Sequence, residues 1–254
     1  DKDKEEMREI DEKLAKVGLT FSQNVLKATN HFTLDITNES DLAGLPEAVI
    51  EGAAELAVKN GKQGWSFGLQ MPSYLPFMTY AKNRDLRKKM FLLNASKTFG
   101  NEFDNQNAIK EILELRARRA KLLGFKTHAD YVLEERMAMN ANKVMDFLNQ
   151  LLVKAKPFAQ KDLDRLKKLA NEMDGITDFA SYDSAFYSEL LKKKELEMDD
   201  EMLRPYFKLE NVIDGVFKVG QKLYGLNFKE VNNIPKYHPE VRTYEVYDEN
   251  NNFI

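Results

Sequence analysis

A chain of 254 residues, 43% hydrophobic and 31% charged, has apolar material for one large domain or two modest ones in the ordinary balance of a globular protein. Its 38 basic and 41 acidic residues leave a net charge of −3, against the basic surplus of a general nucleic-acid binder. It has no cysteine, which excludes disulfides and thiol chemistry, and no apolar run near the ~18 residues that a membrane span needs.

The opening DKDKEEMREIDEK carries no signal-peptide pattern, and with the absence of cysteine it suggests a cytoplasmic protein. Met7, Ile10, Leu14, Val17, Phe21 and Ala28 keep a three-and-four spacing, with Asn24 in the missing slot. That stripe predicts a long helix packed nearly parallel to another. Phe32, Leu34 and Ile36 alternate with polar residues, as do Trp65, Phe67 and Leu69, which predicts two short strands paired as a ribbon. Between them Pro46 opens a helix and Gly61 closes it. Further helices are expected at about 73–82, 84–98, 105–123 and 128–138. Thr127 and Asp130 make a capping box, and Gly124 suits a left-handed C-terminal position. Asn140 starts a long helix in which Pro157 forces a kink or a break, and Gly175 ends it. Helices at about 182–193, 199–204 and 209–224 follow, the last stopped by Gly225. Val241 to Tyr247 reads as a strand, Asp248 to Asn252 as a turn, and Phe253-Ile254 as the start of a returning strand. A lone strand with half a hairpin is unstable and leaves an edge unpaired, so the natural polypeptide is expected to continue.

No residue pattern carries catalysis by itself. His31, His128 and His238 are far apart, and none is followed by Glu. A helical zinc site needs two histidines at i and i+4 with a glutamate to activate water, so neither a metal ligand nor a catalytic residue is assigned. Glu134-Glu135 and Asp199-Asp200-Glu201 could do acid–base work, but such runs are usually solvated helix faces or first turns. The basic runs Arg116-Ala117-Arg118-Arg119 and Lys192-Lys193-Lys194 could meet carboxylates or phosphates, although a solvated face is the plainer reading. Phe179, Tyr182, Phe186 and Tyr187 could line a peptide groove or pack in a core, and the core is preferred. Gly61, Gly64 and Gly68 are not followed by the Lys-Ser/Thr of a phosphate loop.

Several segments resemble one enzyme family. Ala120-Lys121-Leu122-Leu123-Gly124-Phe125, His128-Ala129-Asp130-Tyr131 and Arg136-Met137-Ala138 are similar to a hallmark of the thimet oligopeptidase (neurolysin-like) family of zinc metallopeptidases. Asp41–Pro46, Pro72–Phe77, Leu203–Phe207, Leu223–Phe228 and Tyr237–Arg242 agree in order along nearly the whole chain. Phe21–Val25 and Tyr237 look closest to the bacterial peptidyl-dipeptidase and oligopeptidase A branches. One departure is Tyr182-Asp183 followed by Phe186-Tyr187, where bacterial relatives tend to show Trp-Asp and paired tyrosines.

The resemblance implies a mainly α fold, multi-helical, with a small two-stranded ribbon and a C-terminal β-strand. It implies a helical region with the ribbon over 1–138, a helical region over 139–230, and the start of a catalytic sheet over 231–254. It also implies short peptide substrates, with release of C-terminal dipeptides as the expected activity, and zinc as the cofactor of the intact enzyme. In the family the zinc is held by a His-Glu-x-x-His helix and a later glutamate, and that motif comes after the last strand here. These residues would then form channel wall that keeps folded proteins out, inactive alone, with substrate-binding residues unassigned. The expected partners are peptides and the missing N- and C-terminal regions of the same polypeptide, with no nucleic acid and no membrane. The alternative is a free-standing helical binding or scaffold module, for which the heptad-like first helix speaks.

Overall fold

The computed structural model describes residues 2–197 and 200–254, and of Asp200, Glu201 and Arg204 only the backbone. It is mainly helical, as the spacing predicts, and the chain divides into two compact units, 1–191 and 192–254. No helix among the described residues is long and apolar enough to cross a membrane.

In the first unit α1 spans Lys2–His31 and buries Ile10, Val17 and Ala28. The chain then turns through β1 (Thr33–Ile36), α2 (Glu47–Lys59), β2 (Trp65–Gly68), α3 (Met71–Tyr80), α4 (Arg84–Ala95) and α5 (Gln106–Leu122). The stripe on α1 finds its partner in α5, where Ile10, Val17 and Leu115 form one cluster flanked by Leu14, Ala108 and Ile112. Asn24, the polar residue in that stripe, donates to Asn105 Oδ1 at 3.0 Å, while the fully buried Asn105 donates to the Phe21 carbonyl at 3.2 Å. A buried polar pair of this kind sets the register of two helices as well as their contact.

The ribbon forms as expected. β1 and β2 run antiparallel with Leu34 opposite Phe67 and Ile36 opposite Trp65. Their apolar faces join Leu42, Ala53, Phe77, Met78 and Met90 in the main core. Gly64 turns the chain into β2 at φ +81, and a Cβ there would fall well inside 3.0 Å of the Ile36 carbonyl oxygen. Gly64→Ala is therefore expected to cost more than about 1 kcal/mol, since the left-handed strain alone is of that size and backbone cannot yield to the clash. Equal urea midpoints for the two proteins would contradict this.

α6 spans His128–Leu133 and α7 spans Ala141–Asp174. Thr127 caps α6, its Oγ1 accepting from the Asp130 amide at 3.1 Å, and Asp130 answers by accepting from that hydroxyl at 2.7 Å in place of the Thr127 amide bond of a full capping box. α6 stops five residues short of the expected end. Glu134 and Glu135 place like charge where the helix dipole is negative, and Asn140 adopts an extended backbone to cap α7, accepting from the Lys143 amide at 3.0 Å. α7 does not break at Pro157, because residues 151–160 are all exposed and water can meet the carbonyl that the proline frees. Gly175 ends α7 at φ 65, as expected. α8 follows over Ser181–Leu196.

The second unit carries α9 (Asp200–Leu203), a 3-10 turn at Arg204–Tyr206, α10 (Leu209–Tyr224), β3 (Asn227–Val231) and β4 (Thr243–Tyr247). Here one expectation is corrected. The last strand is not alone, because β3 pairs with it antiparallel from Asn227↔Tyr247 to Val231↔Thr243. Phe228 from β3 and Tyr244 from β4 both pack on Phe217 of α10, each with ring centroids 4.7 Å away, and this anchors the hairpin. The returning strand does begin, with Tyr247 bridged to Phe253 and the Ile254 amide donating to Val246 at 3.1 Å.

Candidate functional site

The N-terminus of α4 and the start of α8 build the most structured polar site. Asn83 caps α4, accepting from the Asp85 and Leu86 amides at 3.1 and 3.2 Å and donating to Asp41 at 2.8 Å. That cap fixes the first turn, and the i, i+3 spacing of Arg84 and Arg87 sends both guanidiniums to one face. They meet Asp183, which is wholly buried. Arg84 donates to it from Nε at 3.0 Å and Nη2 at 2.8 Å, Arg87 from Nη2 at 3.2 Å, and the Ala180 amide at 3.0 Å.

The remaining arginine donors go to backbone carbonyls and to Asp178. Arg87 Nη1 reaches the Ala81 and Lys82 carbonyls at 2.8 and 3.1 Å, and its Nε reaches Tyr182 O at 3.3 Å. Its guanidinium also lies 4.1 Å over the Phe186 ring. Arg84 pairs with the Asp178 carboxylate at 2.9 Å. Burial alone would raise the Asp183 carboxyl, but the bonds from Arg84, Ala180 and Arg87 outweigh it and hold the group below the usual carboxylate range. The bond to Asp183 in turn raises Arg84.

Above this clasp lies a cleft of about 790 Å³ with Lys82 and Arg84 on one side and Met173, Ile176, Phe186 and Leu190 on the other. Tyr187, also on its wall, donates to Asp174 at 2.5 Å, and burial together with that bond pushes its hydroxyl up. The cleft can take an apolar side chain. Its carboxylates are already paired and its tyrosine is held protonated, so it presents no poised acid and base.

The residues singled out from sequence are scattered. His31 packs edge-on against Phe32 and Phe103, with Glu102 at 3.6 Å. His128 lies near Tyr131, and burial with the charges of Arg116 and Arg119 lowers its pKa. His238 accepts from the Glu240 amide at 3.3 Å. Among the described residues no three His, Asp or Glu side chains are arranged to hold a metal, so these groups do not fit a zinc centre. Glu134 and Glu135 are exposed. Asp199 and the side chains of Asp200 and Glu201 lie outside the described residues. Arg118 and Arg119 reach back to α1, pairing with Glu6 at 2.5 Å and Asp11 at 3.0 Å. Lys192, Lys193 and Lys194 lie on α8. Gly64 precedes β2 and Gly68 is its last residue, with Gly61 in the turn before it. Phe186 and Tyr187 are buried with Leu169 and Ala170 and flanked by Phe179, while Tyr182 packs against the main core, so the aromatic cluster is core first and cleft wall second.

Arg84, Arg87 and Asp183 carry only a faint joint signal in the sequence. The available signal was the Arg-x-x-Arg spacing after a capping Asn, and the Asp that remains where Tyr182 departs from the Trp-Asp pattern.

Residues 77–254 match the sequence profile of Peptidase family M3. Oligopeptidase A of Haemophilus influenzae is 39% identical over 247 residues, which is 95% of this chain and 36% of that protein. Oligopeptidase A of Escherichia coli is 38% identical over 248 residues, 96% of this chain and 36% of that protein. Dipeptidyl carboxypeptidase of Escherichia coli is 29% identical over 251 residues, 98% of this chain and 37% of that protein. The chain thus spans little more than a third of the length of these curated relatives.

Proposed function

The chain belongs to peptidase family M3, and from that premise we propose that it forms part of a zinc-dependent oligopeptidase acting on short peptides. The observation that carries this reading is the agreement with oligopeptidase A along nearly the whole chain. The zinc ligands and the catalytic glutamate are proposed to lie outside these 254 residues, since the three histidines are far apart in the sequence and belong to no cluster of His, Asp or Glu among the described residues. The helices then serve as wall, and their partners are peptides and the rest of the polypeptide.

Cleavage within a short peptide is one reading. Release of C-terminal dipeptides is the second reading, and the likeness to dipeptidyl carboxypeptidase favours it. The two separate on a peptide with an amidated C-terminus, given to the full-length polypeptide. Internal cleavage proceeds on the amidated peptide, whereas dipeptide release needs the free carboxylate. In either case chelation is expected to abolish hydrolysis and zinc to restore it. Hydrolysis indifferent to chelation would overturn the zinc-peptidase reading.

A further inference from the structure

We propose that the stretch of α7 from Val144 to Phe158 is an interface, covered in the full-length polypeptide by a helix from outside these 254 residues that has an apolar face and acidic edges. This rests on the reading that the chain is part of a longer enzyme. It assigns this face to the polypeptide itself and not to peptide substrates.

α7 carries one apolar face along most of its length. Leu148, Leu151 and Leu152 repeat as Leu166, Leu169 and Ala170. The repeat falls a whole number of turns later at about 3.6 residues per turn, so both sets stand on the same side of the helix. The later set is covered. Leu169 and Ala170 are buried with Phe186 and Tyr187 of α8, and Leu166 packs beside them. The earlier set is bare, with Leu148, Leu151 and Leu152 all exposed and Phe147 and Phe158 at 60% and 69% exposure on one rim. A contiguous apolar face of this kind is rarely left to water, and its three-and-four spacing suits the packing of a second helix. The bare stretch therefore continues an interface that α8 occupies at only one end.

The rims define the partner. Lys143, Lys154 and Lys161 lie along one edge of the stripe and Lys156 along the other. No carboxylate occurs between Phe147 and Lys161. Lys154 and Lys156 have no ion pair among the described residues. A partner helix with Asp or Glu at its edges would pair with them, as edge charges do in packed helices. A long further polypeptide is the natural source, since the chain spans little more than a third of the oligopeptidase A proteins it matches.

The methionines supply the test. Met145 lies on the Lys156 side of the stripe and is 53% exposed, Met137 is fully exposed, and Met90 is wholly buried. Dilute hydrogen peroxide and mass spectrometry give the rate of sulfoxide formation at each, referred to N-acetylmethionine in the same tube, and oxidation follows exposure. Met90 reports that the chain is folded. In the 254-residue chain Met145 is expected to oxidise much as Met137 does, and in the full-length polypeptide to slow about tenfold. Leu151→Ser is expected to leave the thermal midpoint of the 254-residue chain unchanged and to lower that of the full-length polypeptide. Met145 oxidised equally fast in both would overturn the proposal. So would protection of Met145 in the 254-residue chain itself, which, if it grew with concentration, would assign the face to a second copy. Peptide hydrolysis measured on the same full-length sample keeps the two readings apart. An inactive polypeptide with Met145 protected fails only as a peptidase, and an active one with Met145 open fails only here.

Discussion

Asp183→Ala is expected to destabilise the protein by about 3–5 kcal/mol, the cost of leaving a buried charge without its partner. Arg87 is 1% exposed and Arg84 27%, so water can solvate only the second once the carboxylate is gone. The loss also releases the Ala180 amide at the start of α8. Urea unfolding should show the midpoint falling by a large fraction of the whole. Asp183→Asn separates charge from shape. The folded carboxyl is depressed, so its stabilisation is complete above the unfolded value of about 3.9 and fades as pH falls through the lower folded value. The deficit of Asp183→Asn should therefore be full at neutral pH and shrink below the ordinary carboxylate range. A deficit independent of pH down to acid unfolding would mean that packing, and not charge, holds α4 to α8.

Phe67→Ala is the second large effect, at about 3–5 kcal/mol. Phe67 is wholly buried, faces Leu34 across the ribbon, and lies with its ring centroid 4.7 Å from that of Phe77. Its loss removes an aromatic ring from the junction of β2 with α3 and leaves a cavity lined by a core that can only partly close. Phe67→Leu, which keeps most of the volume, should cost under about 1.5 kcal/mol. Phe99, 65% exposed, is the control, and its replacement by Ala should stay within about 0.5 kcal/mol. A Phe67→Ala protein as stable as the control would mean that the ribbon is not part of the core.

Helix boundaries were the most legible part of the fold, because their signals are local. Gly175 and Gly225 end α7 and α10 where a left-handed residue is needed, and Thr127 caps α6 through a bond to a residue three positions on. β3 is not legible in the sequence, since Asn227-Phe228-Lys229-Glu230-Val231 has no clean alternation and takes its form from pairing with β4. The end of α6 is not legible either, as the competing cap at Asn140 is a preference of the following helix.

The site shows the same division. The aromatic cluster was legible as core through its helical spacing. Arg84, Arg87 and Asp183 were not, because nothing in a charged residue announces burial and the two halves lie nearly a hundred positions apart in the chain. The family resemblance was legible in short segments distributed along the chain, and the profile match over 77–254 places the chain in that family.

The central proposal is that these residues are wall and not metal centre. It is tested most directly by the zinc content of the purified 254-residue chain after equilibration with zinc and removal of the excess. The account predicts far less than one zinc per chain. One tightly bound zinc per chain would contradict it and would require the separate histidines to converge.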